Sequence, residues 1–67
     1  MIQEKIGQRI KELRHNLGIS QEELGLRSGV HRTYIASLEV GKRNISIVTL
    51  EKIVIALEIP LGKFFEF

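Results

Sequence analysis

Twenty residues, Gln21 to Val40 (QEELGLRSGVHRTYIASLEV), constrain this chain more than any others. They read as two short helices joined by a tight turn. Leu24 is the apolar anchor of the first, and Gly25 beside it is small enough for another helix backbone to come close. Gly29 supplies the turn, where a residue without Cβ takes a positive φ cheaply. Val30, Ile35 and Leu38 follow at spacings of 5 and 3 and face inward. Arg32, Thr33, Tyr34 and Ser37 are left outside. That outer face carries hydrogen-bond donors and acceptors, one cation and one methyl-bearing hydroxyl. Such a mixture suits the base edges of a DNA major groove.

Length limits what can surround this element. The 67 residues make a single domain spanning 1–67, and a chain of this size buries only roughly 60% of its unfolded surface. Without cysteine it has neither a disulfide nor a thiolate metal ligand. His15 and His31 are sixteen positions apart with no partner at ligand spacing, so no metal site and no cofactor is expected. Dense helix packing and self-association are the remaining routes to stability.

The formal charge is only +2, but it is unevenly placed. Arg27, His31, Arg32, Lys42 and Arg43 lie in or beside the helix pair, while Glu51, Glu58 and Glu66 lie downstream. A local basic face fits a polyanion. The competing assignment is a solvated surface of mixed charge. No apolar run reaches the roughly 18 residues of a membrane span, and no charged-then-apolar leader is visible. The expected compartment is the cytoplasm, with no membrane partner.

Helical periodicity extends along the chain. Ile2, Ile6, Ile10, Leu13 and Leu17 recur at 4, 4, 3 and 4, one stripe on one helix that Gly18 ends. Ser20 to Glu23 reads as a capping box, with Glu23 reaching back. The second helix runs to about Ser28, and the third from about Arg32 to Glu39, closed by Gly41. Leu50, Ile53, Val54 and Leu57 mark a fourth. Pro60 suits the first position of a short fifth, packed down by Leu61, Phe64 and Phe65. The expected fold is all-α, with five helices and no strands.

These pieces together resemble the lambda-repressor-like helix-turn-helix family, also called the Cro/C1 or XRE type. The resemblance runs from about Ile6 to Phe65 and is carried by RIKELR at Arg9–Arg14, LGISQEEL at Leu17–Leu24, SGVHRTYIASLEVGKRN at Ser28–Asn44 and TLEKIVIALEIP at Thr49–Pro60. The run RTYIASLEVGKRNIS at Arg32–Ser46 is most similar to the controller proteins of restriction–modification systems. The resemblance implies a recognition role for the third helix and a homodimer on a near-palindromic operator. It also implies a largely buried salt bridge between Arg14 and Glu39. Two positions depart from the family's habit. Gly25 stands where Ala is frequent, at a cost of roughly 1 kcal/mol in helix propensity. His31 stands where Ser or Asp is frequent and is by type a poor cap, so a DNA contact and a tolerated cap are both open.

Arg32, in the first turn of the third helix, has the planar fork that binds guanine O6 and N7 together. Thr33 offers a methyl to thymine or a hydroxyl to phosphate, and Ser37 lies one turn deeper. With His31 these are the expected base contacts. Gln21, at the start of the second helix, is placed for a phosphate by backbone N–H groups and the helix dipole. The same argument covers Asn44 and Ser46 before the fourth helix, with Lys42 and Arg43 adding charge. Tyr34 completes the expected backbone contacts, its ring packing while its hydroxyl meets phosphate. Such contacts set register without reading sequence. Val48, Ile55, Leu61, Phe64 and Phe67 form an apolar surplus that reads as a dimer interface.

An enzyme reading finds no support. The serines lack a His–Asp arrangement at a strand-to-helix elbow, and no glycine-rich phosphate loop is present. The expected function is therefore a homodimeric, sequence-specific transcription regulator, with duplex DNA and a second copy of itself as partners and RNA polymerase as a further candidate. An antitoxin-type autorepressor is the alternative within DNA binding. A protein-interaction module on the same scaffold is the alternative outside it.

Overall fold

The computed structural model describes all residues, Met1–Phe67, as five helices without strands. They are α1 (Ile2–Asn16), α2 (Gln21–Ser28), α3 (Arg32–Glu39), α4 (Ile47–Ala56) and α5 (Leu61–Phe64). One core joins them: Ile10 from α1, Leu24 from α2, Ile35 and Leu38 from α3, Leu50, Ile53, Val54 and Ala56 from α4, Leu57, and Phe64 from α5. The apolar stripe of α1 is realised at its centre only. Ile10 is fully buried and Ile6 and Leu13 half-buried, whereas Ile2 and Leu17 at its ends are exposed.

Gly7, between two stripe residues, sets how close α1 comes to α3. A Cβ there would lie 2.0 Å from the Leu38 carbonyl oxygen, so no side chain is compatible with this crossing. Gly25 plays the same part between α2 and the start of α3, where a Cβ would meet the Val30 carbonyl oxygen at 2.7 Å. The site expected from sequence to admit a neighbouring backbone does so.

Local chemistry explains most boundaries. Ser20 caps α2 by accepting from the Glu23 N–H at 3.0 Å. The reciprocal half of the expected capping box is absent, because the Glu23 carboxylate takes the Arg27 Nε donor at 2.9 Å instead. A charged donor one turn along outcompetes a neutral backbone N–H. Helices α1, α3 and α4 end alike: the residue after the C-cap takes the left-handed conformation and the last carbonyls accept doubled-back N–H groups. Gly18 and Gly41 fill that position after α1 and α3, but Glu58 fills it after α4, at φ 61°. Pro60 is the N-cap of α5, one residue earlier than its sequence position suggests.

The fifth helix is held from outside. Arg9 donates through Nε to the Phe64 carbonyl and through Nη2 to the Lys63 carbonyl, both at 2.8 Å. A single turn can drive only one large side chain fully inward, and here it is Phe64. Leu61 and Phe65, expected to pack with it, stay exposed at 51% and 43%.

Candidate nucleic-acid interface

Behind α3 lies a polar clamp that fixes its orientation. Arg14 donates to Glu39 through Nε at 2.7 Å and Nη2 at 3.0 Å, a two-pronged pair that burial leaves almost without solvent. Arg14 Nη1 also donates to the Ile19 carbonyl at 2.9 Å. The hydrogen bond and charge of Glu39 raise the Arg14 pKa above its ordinary value against the opposing effect of burial. Gln21 Nε2 donates to Glu39 Oε1 at 3.0 Å. The amide is drawn inward, because a buried carboxylate needs its remaining lone pairs satisfied, while Gln21 itself stays half-buried at the start of α2, where a phosphate contact is expected.

In front, α3 presents Arg32 and Thr33 exposed and Ser37 half-buried. Arg32 Nη1 lies 3.6 Å from Glu22 Oε2 on α2, an exposed pair of the kind that contributes little and leaves the guanidinium accessible. His31 caps the helix despite its type. Its Nδ1 accepts from the Thr33 backbone N–H at 3.2 Å and lies 2.8 Å from Thr33 Oγ1. An imidazole acceptor placed at the right reach substitutes here for a hydroxyl or carboxylate. Ser37 Oγ donates to the Thr33 carbonyl within its own helix at 3.1 Å.

Beside this face, Tyr34, Ser37, Lys42, Arg43 and Asn44 line one open polar cleft. The Arg43 guanidinium lies 4.9 Å above the Tyr34 ring, a cation–π contact that orders the loop after α3. The Tyr34 hydroxyl donates to the Asn44 carbonyl at 3.4 Å while its ring packs on the core. Asn44 is tied to α1, its Oδ1 accepting from Gln3 Nε2 at 2.7 Å. Ser46 caps α4 by accepting from the Thr49 N–H at 3.1 Å. Tyr34, Ser37, Lys42, Arg43 and Asn44, all expected to meet DNA, therefore share one side of the molecule, through α3 and the loop that follows it.

The apolar candidates divide. Val48, Ile55, Leu61 and Phe67 are 51–69% exposed, but Phe64 is fully buried and belongs to the core. Phe65 and Phe67 meet it edge-on, with ring centroids 5.2 and 6.4 Å away. Sequence reasoning missed Ile47, 84% exposed beside Val48. Its spacing of 3 and 7 to Leu50 and Val54 lies on the edge of the core stripe, so periodicity gave no signal for its exposure in the first turn of α4. It also missed Gly7 and Arg9, whose signals are a small residue between the stripe residues Ile6 and Ile10 and a cation one position before Ile10.

No group of three or more His, Cys, Asp or Glu side chains is placed to hold a metal ion. No helix is long and apolar enough to cross a membrane.

The geometry is that of two short helices across a tight turn, the second exposed along a polar face and braced from behind. Residues 10–64 match the family described as helix-turn-helix, and the chain belongs to it. Among its relatives is the control protein C.MunI of a Mycoplasma species, 42% identical over 62 residues, covering 91% of this chain and 84% of that protein. Control protein C.BamHI of Bacillus amyloliquefaciens is 37% identical over 62 residues, covering 91% and 76%. The crystal structure of the restriction–modification controller protein C.AhdI from Aeromonas hydrophila superposes with a TM-score of 0.90 at 43% identity, covering 94% of this chain and 91% of that one. The controller C.Esp1396I, solved as a tetramer in complex with its natural 35 base-pair operator, gives 0.93 at 38% identity, covering 98% and 87%.

Proposed function

We propose that this chain is a transcription regulator of the restriction–modification controller type, binding a near-palindromic DNA operator as a homodimer. The observation that carries the reading is the outer face of α3. Arg32, Thr33 and Ser37 stand clear of the core on a helix that the Arg14–Glu39 clamp holds from behind. An α-helix so presented fits the major groove. Lys42 and Arg43 beside it supply phosphate contacts, and the exposed cap of α4 at Ser46 offers N–H groups to a second phosphate. In this reading Arg32, Thr33, Ser37 and His31 meet bases. Val48, Ile55, Leu61 and Phe67, joined by Ile47, form the seam between two copies.

The relatives bear the names of control proteins and transcriptional regulators rather than of enzymes, and the reading assigns no chemistry to the chain. It implies a cytoplasmic location, where operator DNA lies. RNA polymerase is the partner through which an operator-bound dimer would activate.

Selection of bound sites from random duplex DNA tests the proposal. It predicts one recovered motif with two-fold symmetry. Recovery of no motif, with log affinity flat against log salt, contradicts it, since counterion release makes specific and non-specific binding alike salt-dependent.

A further inference from the structure

The hydrogen bonds on α3 fix which way its hydroxyl groups can speak to a base. A backbone N–H only donates, so the Thr33 N–H at 3.2 Å makes His31 Nδ1 the unprotonated ring nitrogen. In the neutral ring the proton is then on Nε2. Thr33 Oγ1, 2.8 Å from the same Nδ1, must be the donor of that second contact. A carbonyl only accepts, so the Ser37 hydroxyl proton is committed to the Thr33 carbonyl at 3.1 Å. Both hydroxyls therefore turn only lone pairs outward. The donors of the face are Arg32 and the His31 Nε2–H.

We propose that Thr33 and Ser37 read as acceptors only, so that each half-site places an exocyclic amino group, adenine N6 or cytosine N4, opposite one of them, with His31 setting this polarity at Thr33 and the Thr33 carbonyl setting it at Ser37. The inference rests on the DNA-reading role proposed above and narrows it. In the major groove only those two bases offer a donor, while guanine and thymine offer acceptors. A threonine free to rotate would accept either pattern. The ring of His31 removes that freedom while capping the helix. His31 is thus a positioning residue for Thr33, whatever its own outward Nε2–H meets.

The test uses the full chain and its selected site. At each position of one half-site, adenine is replaced by purine, which lacks the N6 amino group, or cytosine by 2-pyrimidinone, which lacks N4. In parallel each purine is replaced by its 7-deaza form, which lacks the N7 acceptor. The wild type should lose about tenfold in affinity at one or two amino-deleted positions, and the base identity there says whether adenine or cytosine is read. Thr33→Val or Ser37→Ala should reduce that penalty to less than twofold. His31→Ala should also reduce it at the Thr33 position, whereas His31→Asn, which keeps a cap acceptor, should retain it. A purely structural role for His31 would weaken all duplexes equally and leave the pattern unchanged.

The ring itself can be read without DNA. Nitrogen-15 NMR of the free protein should show the Nε2–H tautomer. An Nδ1–H ring, or 7-deaza positions whose penalty disappears in Thr33→Val, would overturn the proposal while leaving DNA reading intact. Failure to select any site would overturn the DNA reading itself, and this inference with it.

Discussion

Ser37 on α3 and Ile55 on α4 both point away from the core, and they show how differently two outer faces of one small domain are finished. Ser37 is half-buried and hydrogen-bonded into its own helix, as Thr33 is to His31. Ile55 is 69% exposed, with Ile47, Val48, Leu61 and Phe67 also uncovered. One face orients polar groups so that each has a defined donor or acceptor sense. The other leaves large apolar side chains in water, where each costs roughly 1.5–3 kcal/mol of unrealised burial. A polar ligand with its own donors and acceptors completes the first face, and only another apolar surface completes the second. The two halves of the proposed function, groove reading and dimerisation, therefore occupy chemically opposite surfaces.

The largest effect should come from removing the brace behind α3. Glu39→Ala leaves the Arg14 guanidinium buried without its carboxylate and should cost about 3–5 kcal/mol in urea unfolding. A loss under about 1 kcal/mol would mean that the pair is a bystander and the reading face is held by the core alone.

The apolar face should respond differently. Ile55→Asp changes an exposed side chain, so monomer stability by circular dichroism should shift by no more than about 0.5 kcal/mol. Operator affinity should nevertheless fall by roughly a hundredfold or more, about 2.7 kcal/mol, as the dimer dissociates. Unchanged sedimentation and affinity would remove Ile55 from the seam. Phe64→Ala, by contrast, empties the core and should cost about 3–5 kcal/mol of stability.

On the polar face, Arg32→Ala should relax one base position per half-site by about 1–3 kcal/mol. Arg43→Ala should weaken all sequences evenly and lower the salt slope by about 1. A library of single-base operator variants separates them. Equal loss on every variant for Arg32→Ala would place it on phosphate.

The smallest effect concerns the hinge between α4 and α5. Glu58 occupies a left-handed position that glycine fills at Gly18 and Gly41, and its contact with Arg27, at 3.4 Å, is exposed. Glu58→Gly should stabilise the fold by about 1 kcal/mol without altering DNA affinity, since surface pairs of that kind contribute little. Destabilisation would show that the Arg27 contact outweighs the backbone strain.

How much of this was readable beforehand follows from the range of each interaction. Helix positions, the Gln21–Val40 element and the Ser20 cap depend on neighbours within a turn, and periodicity and local residue type expose them. The roles of Gln21, Arg9 and Phe64 depend on partners far along the chain: Glu39, the α5 carbonyls and the core. Phe64 reads both as packing for α5 and as part of the seam, because a short helix hides which face turns inward, and the structure places it in the core. By residue type His31 is a poor cap, whereas its reach to Thr33 decides the matter. Family resemblance supplied the Arg14–Glu39 pair, which composition and spacing did not indicate.

The pairing of a reading face with an association face is tested most directly by titrating the wild type on its selected palindrome and on a single half-site. Sedimentation at the same micromolar concentrations gives the state of the free protein. The account predicts a dimer that binds the palindrome at least a hundredfold more tightly than the half-site, its recognition helices about 34 Å apart on one side of the duplex. A monomer that binds the half-site as well as the palindrome would contradict it.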